Sequence, residues 1–392
     1  MWFINRAYNQ RRRAFRHDKA WQRRHAVRER FEHLHKVQIW QGEDFEWAIC
    51  TRSPTLPPKR LCFVDNMDES VQFFDELRNG TKRTFETKVP IVDRSDTSRL
   101  PRIIGYFDFS YPDYISTAAA VVLTAEFERL ATIDSNVPPT VNLGQWNENV
   151  FRKLFQLGFF EVVGLTPKRE DVTIEEGDTR TMFIVSAKNA DELARVDNGL
   201  QSLGAFLNPV NNIPDNIIIE LLTGLGEAMS NVTNHAYAMD FPAPYPHINS
   251  LWVAATADRS KNTLTVVIYD QGATIPFTYP RIDRLDQVVR YLARTLRREP
   301  RFEFENDGTY IRAAMKYGGS RTDRPHRGKG LPQMVDVIEK TGSGSMTVYS
   351  RGGWCKRNSN GRFSSGAVPF SFGGTLIEWT VELNSKMPVS FT

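Results

Sequence analysis

Residues 214–237 constrain the fold more than any other stretch of this chain. Ile218, Leu221, Leu222, Leu225, Met229, Val232 and Ala236 recur at helical spacing and form one apolar stripe. At about 100° per residue, Glu227, Asn231 and Asn234 project from the opposite side. A helix of this kind must bury its stripe on another layer, and Asp215 in its first turn suits the positive end of the helix dipole. The polar side is unusual for a solvated face, because Asn is a poor helix former and no Lys or Arg lies near. Two readings follow. One is a wet face; the other is a carboxylate and an amide one turn apart, able to orient a water or hydroxyl and to hold a metal ion.

Around this helix the pattern predicts an α/β chain in two parts. The first has strands at 60–65 and 102–109, a strand-like stretch at 140–143, and helices at 67–78, 116–130 and 147–157, with a polar loop over 81–99. Such alternation argues for an α/β layer. The charged stretch 166–179 breaks the pattern and is expected to link a first domain, 37–165, to a second, 180–392. The second domain opens with a strand at 180–187 and a helix at 190–203. After the long helix come strands at 251–255 and 264–269, then a helix-rich basic insertion over 277–318. Gly328-Lys-Gly330 leads into a helix at 331–340, and strands at 345–350 and 374–383 close the chain.

The net charge of +4 hides an asymmetry. Residues 1–36 hold eleven Lys or Arg against three acids, with Trp2, Phe3, Phe15, Trp21 and Phe31 among them. Such an arm suits nucleic-acid phosphates or an anionic membrane surface, or equally a solvated helix that packs on an acidic partner. Three separated cysteines, Cys50, Cys62 and Cys355, argue against a disulfide framework and against a cysteine zinc site. No apolar run approaches the roughly 18 residues of a membrane span, and the N-terminus lacks an apolar signal segment. The chain is therefore expected in a reducing cytoplasm, without a transmembrane segment.

Three more pieces carry chemistry. The strand at 264–269 runs into Asp270-Gln-Gly-Ala-Thr274, where an acid and a glycine follow a strand end; this is a plain turn or a group that accepts from an adenine amino group. Arg324-Pro-His-Arg-Gly-Lys-Gly330 sets glycines and cations at a helix start, as an exposed basic loop or an anion site. Gly373-Gly-Thr375 precedes the last strand. The order of these pieces after Glu227-x-x-x-Asn231 resembles the ATP-binding fold shared by gyrase, the Hsp90 chaperones, histidine kinases and MutL, known as GHKL. The resemblance spans residues 175–385. Within that superfamily, Glu227-Ala-Met-Ser-Asn231 with His235-Ala-Tyr237 is most similar to serine kinases that act as anti-sigma factors.

That resemblance implies a two-layer α/β sandwich binding ATP and magnesium. Asn231 would coordinate the magnesium and Glu227 would be the general base or water-positioning acid. Asp270 would bind adenine, Gly272 would line the base, and Gly328 and Gly330 would touch phosphates. Asn234, Thr274 and Thr375 complete the expected site, and we assign Arg327 and Lys329 to phosphate charge neutralisation. Ala273-Thr274 stand where the family has a second glycine. In the first domain, Asp108 to Ala118, a strand followed by a helix, and the later Phe151 to Phe160 resemble the STAS domain of anti-sigma antagonists. By that likeness Thr117 is the phosphoacceptor position, with Ser116 in place of the usual aspartate; Ser116 can equally cap the helix.

Three functions stay open at this point. The chain is an ATPase or serine/threonine kinase with its partner domain fused; or a nucleotide-gated switch for a protein partner such as a sigma-like regulator, including as a homodimer; or a nucleic-acid-associated ATPase that relies on residues 1–36. Autophosphorylation of the two-component type is not expected, since no histidine occurs between His35 and His235.

Overall fold

The computed structural model describes residues 35–50, 53–87, 92–93, 100–103, 105–133, 137–175, 177–187, 192–209, 213–237, 246–279, 304–318 and 330–383. Within them the chain is mixed α/β and divides into two units, Met1–Ile174 and Glu175–Thr392. Residues 1–34 of the basic arm lie outside the described residues, as do 280–303 of the predicted insertion and most of the predicted loop 81–99.

The first unit opens with a hairpin that the sequence pattern did not single out. Strands β1 (His35–Gln41) and β2 (Asp44–Cys50) pair antiparallel, and Gly42 in the turn takes φ 60°. Alternation buries Val37, Ile39, Ala48 and Cys50 on one face. Next come β3 (Arg60–Leu61), α1 (Met67–Thr87), β4 (Val92–Asp93), β5 (Arg102–Ile103), β6 (Tyr114–Ile115), α2 (Thr117–Ile133), α3 (Glu148–Leu157) and α4 (Phe159–Val162). The sheet order is β1-β2-β5-β4, and β3 pairs with β6 as a separate parallel ribbon.

Helix α2 is apolar on nearly every side over Ala118–Ala125, so it lies buried through the unit. Its one fully buried acid, Glu126, receives Arg78 Nε at 2.6 Å and Arg129 Nη2 at 2.9 Å. Burial alone would raise that carboxyl, but the two guanidiniums outweigh it and hold it below the usual carboxylate range.

The predicted strand 102–109 shrinks to two residues. Its aromatic end is buried as irregular chain, with Phe109 packed against Phe73 and Trp146; an apolar run records burial, not pairing. The stretch 151–160 is two helices, broken at Gly158. Most of the predicted linker is strapped to the first unit. Arg169 Nη1 donates to the Trp146 carbonyl at 2.8 Å, Arg152 Nε to Thr173 at 2.9 Å and Gln156 Nε2 to Ile174 at 2.7 Å. The division falls directly after Ile174.

The second unit is built on an eight-stranded antiparallel sheet of order β13-β12-β11-β14-β10-β9-β7, with β8 also on β9. Its elements are β7 (Thr179–Thr181), β8 (Val185–Ala187), α5 (Leu193–Leu207), α6 (Asp215–Asn231), β9 (Leu251–Asp258), β10 (Thr263–Asp270), α7 (Ile275–Thr278), α8 (Asp307–Tyr317), α9 (Gly330–Thr341), β11 (Ser345–Ser350), β12 (Gly353–Asn358), β13 (Phe363–Ala367) and β14 (Thr375–Glu382). The predicted strand 180–187 is β7 and β8 in succession on one neighbour. Three residues, 182–184, stand against Ala254 and Ala255, a bulge that leaves Phe183 exposed.

One face of this sheet, including Val253, Val266, Val348 and Trp379, packs on the stripe of α6 and on α5 and α9. The Trp379 indole N–H donates to the Met334 carbonyl of α9 at 3.0 Å, and Val337 of α9 meets α6 at Gly224. The other face buries Trp252, Val267, Tyr269, Tyr349 and Leu376 as well, where a simple two-layer sandwich would leave it open. The end of the predicted insertion belongs to the body of the unit: α8 buries Tyr310, Ile311, Ala314 and Met315 against β12 and β13. Asp307 at its start, fully buried, is bound by Arg351 and by the Gly352 N–H at 3.0 Å. Among the described residues no helix is long and apolar enough to cross a membrane.

Candidate functional site

The long helix does not run on to residue 237. After Asn231 it widens into a π turn over Val232–Ala236, a distortion that often marks functional sites. This turn brings the chain against the end of β10. The Ala236 carbonyl accepts the Ala273 N–H, and the Tyr237 hydroxyl accepts the Gln271 N–H at 3.1 Å while donating to the Ser250 carbonyl at 2.6 Å. Gly272 is required here, since a Cβ on it would overlap the Ala236 carbonyl oxygen. The helix end and the Asp-Gln-Gly corner are therefore locked together by backbone.

At this corner the helix-facing side of the sheet turns polar. Asp270 pairs with Thr375 across β10 and β14, and Thr375 pairs with Ser350 across β14 and β11. All three are buried, although the same face is apolar one pair further in. Ser350 Oγ lies 2.9 Å from Thr375 Oγ1 and accepts the Ile275 N–H, which fixes the chain just past Thr274. Thr274, also buried, supplies the carbonyl that accepts from Phe277 and Thr278 at the start of α7.

Among the described residues the Asp270 carboxyl has one donor, the Gly272 N–H at 2.9 Å. Burial pushes it up to about 7, and that single hydrogen bond offsets only part of the rise. Next to it, Gln271 is 1% exposed, and neither its amide nitrogen nor its amide oxygen has a partner among the described residues. Neutral and ionised forms of Asp270 are thus both within reach near neutral pH, and the group has room for further donors.

Further back along the long helix, α6 meets the start of α9. A Cβ on Gly330, the first residue of α9, would stand 2.8 Å from Asn231 Nδ2, so the Asn231 amide rests directly on the start of that helix. The Glu227 carboxylate, one turn earlier on a half-buried residue, makes no hydrogen bond or ion pair among the described residues. Asn231, Gly330, Asp270, Gly272, Thr274 and Thr375 are described; Arg327, Gly328, Lys329 and the side chain of Asn234 lie outside the described residues. Ser350 and Gln271 were not anticipated. Ser350 could have been found only by knowing the register of β11, and nothing local marks Gln271.

Thr117, in the first unit, is the first residue of α2 and only 6% exposed. Ser116 caps that helix, its Oγ accepting the Ala119 N–H at 3.2 Å. The three cysteines are buried thiols, and burial pushes the Cys355 thiol up to about 12, far from a reactive thiolate. Among the described residues no cluster of His, Cys, Asp and Glu could by itself hold a metal ion. Neither a scan against protein-family models nor a search of curated proteins finds a match to this chain.

Proposed function

We propose that the second unit binds ATP with magnesium at the corner formed by α6, residues 270–275, Thr375 and the start of α9, as in the gyrase, Hsp90 and histidine kinase type of ATP-binding fold. The observation that carries this reading is the buried Asp270 carboxyl with its single donor, set beside two hydroxyls and a glycine corner. A purine amino group supplies the donor that Asp270 lacks. The Asn231 amide against Gly330 supports the other end: backbone N–H groups at the start of a helix of this length suit phosphate oxygens.

Magnesium commonly takes one or two protein oxygens and completes its shell with phosphate and water, so the Asn231 amide oxygen fits as its protein ligand. When bound it would neutralise charge on the phosphate oxygens. Glu227 orients the attacking water or hydroxyl as general base. The acceptor is water or a protein hydroxyl, and the first unit, as a STAS-like partner, is the candidate that travels with the site. Its Thr117 hydroxyl, buried as it is, would have to be uncovered before it could accept phosphate.

Calorimetry with magnesium and ATP tests the reading. Asp270→Asn and Asn231→Ala are expected to abolish measurable binding, whereas Glu227→Ala keeps binding and loses phosphate release or transfer from labelled ATP. An Asp270→Asn protein that binds ATP as tightly as the parent refutes the assignment.

A further inference from the structure

Away from the Asp270 corner, towards the β13 border of the sheet, two guanidiniums share one aromatic ring. β12 and β13 pair so that Cys355 stands opposite Ser365 and Arg357 opposite Phe363. Alternation puts these four side chains on one face. That face is the one α8 covers, because a Cβ on Gly353, two residues before Cys355, would fall 2.5 Å from Asp307 and Gly308 at the start of the helix. Arg312 of α8 reaches over it. Its guanidinium carbon lies 5.5 Å from the centre of the Phe363 ring, and that of Arg357 lies 4.8 Å from it. Burial pushes the Cys355 thiol up and the Arg312 cation pulls the other way, so the guanidinium stands near Cys355 as well.

The ring attracts both cations, but they repel each other, and the protein supplies too few acceptors for them. Glu339 of α9 accepts from Arg357 Nη2, and Asp307 is engaged by Arg351. Arg312 makes neither a hydrogen bond nor an ion pair among the described residues. The Nε–H groups of Arg312 and of Arg357 are both shut off from solvent, and neither finds an acceptor among the described residues. A buried donor without an acceptor is uncommon and costly, and here two of them face one small patch. Neither side chain is sealed in: Arg312 is half-buried and the Arg357 side chain is 15% exposed. An anion can therefore arrive from solvent and draw the two Nε–H edges onto itself.

We propose that Arg312, Arg357 and Ser365 form a binding site for a phosphate group, inorganic phosphate or a small phosphate monoester, walled by Phe363. Donors from a helix and two strands converge from different sides, which suits a tetrahedral anion with three free oxygens better than a planar carboxylate. Guanidinium forks match phosphate oxygens in pairs, and the Ser365 hydroxyl adds a neutral donor beside them. The site does not depend on the nucleotide reading. β13 lies four strands from β10, about 19 Å at about 4.8 Å per strand, and Arg357 pairs with Met346 at the opposite end of β11 from Ser350.

The test follows the side-chain Nε–H resonances of the full chain by NMR while inorganic phosphate is titrated against sodium chloride of matched ionic strength. Arg312→Lys and Arg357→Lys each remove one signal and so assign the pair. Both signals are expected to shift and saturate with one dissociation constant, and Arg312→Gln should weaken that constant, read on the Arg357 signal, at least about tenfold. Arg312→Lys, which keeps the charge and loses the fork, should fall between them, with an unchanged amide spectrum separating lost binding from lost folding. O-phosphoserine, run in parallel, distinguishes a site open to monoesters from one that takes the free ion alone. Shifts that chloride reproduces, an equal or tighter response to acetate, or a parental constant in Arg312→Gln overturns the proposal. Asn231→Ala, expected to lose ATP binding, should leave the phosphate constant unchanged; a weakened constant there would move the anion to the start of α9 and refute the site, whatever the fate of the nucleotide reading.

Discussion

Replacing Asp270 by Asn should make the empty protein more stable at alkaline pH, although the same change removes the proposed nucleotide contact. The carboxyl has an ordinary value of 3.8 and is pushed up to about 7 in the folded chain by burial, with the Gly272 N–H pulling the other way. A folded state that holds its proton more tightly than the unfolded one loses stability as pH rises between the two values. Below about pH 4 both states are protonated and the cost vanishes. Above about pH 7 the cost is complete, about 4 kcal/mol at about 1.4 kcal/mol for each tenfold difference. Between pH 5 and pH 8 the parent should therefore lose about 3 kcal/mol through this one group.

An asparagine in that place still accepts the Gly272 N–H but leaves an amide donor without a partner, a penalty of about 1–3 kcal/mol at every pH. The variant is accordingly neutral or less stable than the parent at pH 5, and more stable than it at pH 8. Urea denaturation at both pH values, with pulsed hydrogen exchange of β10 and β14 peptides to identify the second unit's transition, measures the difference. If the stability gap between variant and parent is the same at pH 5 and pH 8, Asp270 does not titrate in this window and the reasoning fails.

Binding of ATP near pH 7 should release a proton, because a donor on the ligand favours the ionised carboxylate; the heat measured in buffers of different ionisation enthalpy reports it, and buffer-independent heats would contradict it. Gly272→Ala should cost at least about 2 kcal/mol, since the new Cβ falls 2.5 Å from Ala236 Cβ and backbone must shift on both sides; thermal unfolding checks this. Glu126→Gln should cost about 3–5 kcal/mol by removing the carboxylate shared by buried Arg78 and Arg129, again read by denaturation, whereas a loss under about 1 kcal/mol would show that the two guanidiniums find compensation.

What was legible in the sequence was local. The stripe of α6, the strands expected at 264–269 and 374–383, and the glycine corner at 270–274 each lie within a few residues, and each appears in the structure within a few residues of its expected place. The polar row of Asp270, Thr375 and Ser350 was only partly legible, because register across three strands brings Ser350 into it. β12 and β13 were missed for a related reason. Cys355-Lys-Arg-Asn358 and Phe363-Ser-Ser-Gly-Ala367 have little strand character of their own and are recruited by pairing outward from β11. Helix α1 runs through Gly80 to Thr87, against the polar composition that suggested a loop.

The bulge between β7 and β8 has a consequence for how the protein behaves in a crowded solution. Among the described residues this interrupted strand is the last on its side of the sheet, and β13, with Ser364, Ser365 and Gly366, is the last on the other. A long regular strand at either border would offer a row of free N–H and C=O groups to a second chain. Three residues set against two at 182–184 break that row, and the exposed Phe183 marks where the strand leaves the plane. Deleting one residue from 182–184 would restore a continuous border, and such a chain should polymerise sheet to sheet at concentrations where the parent stays dispersed.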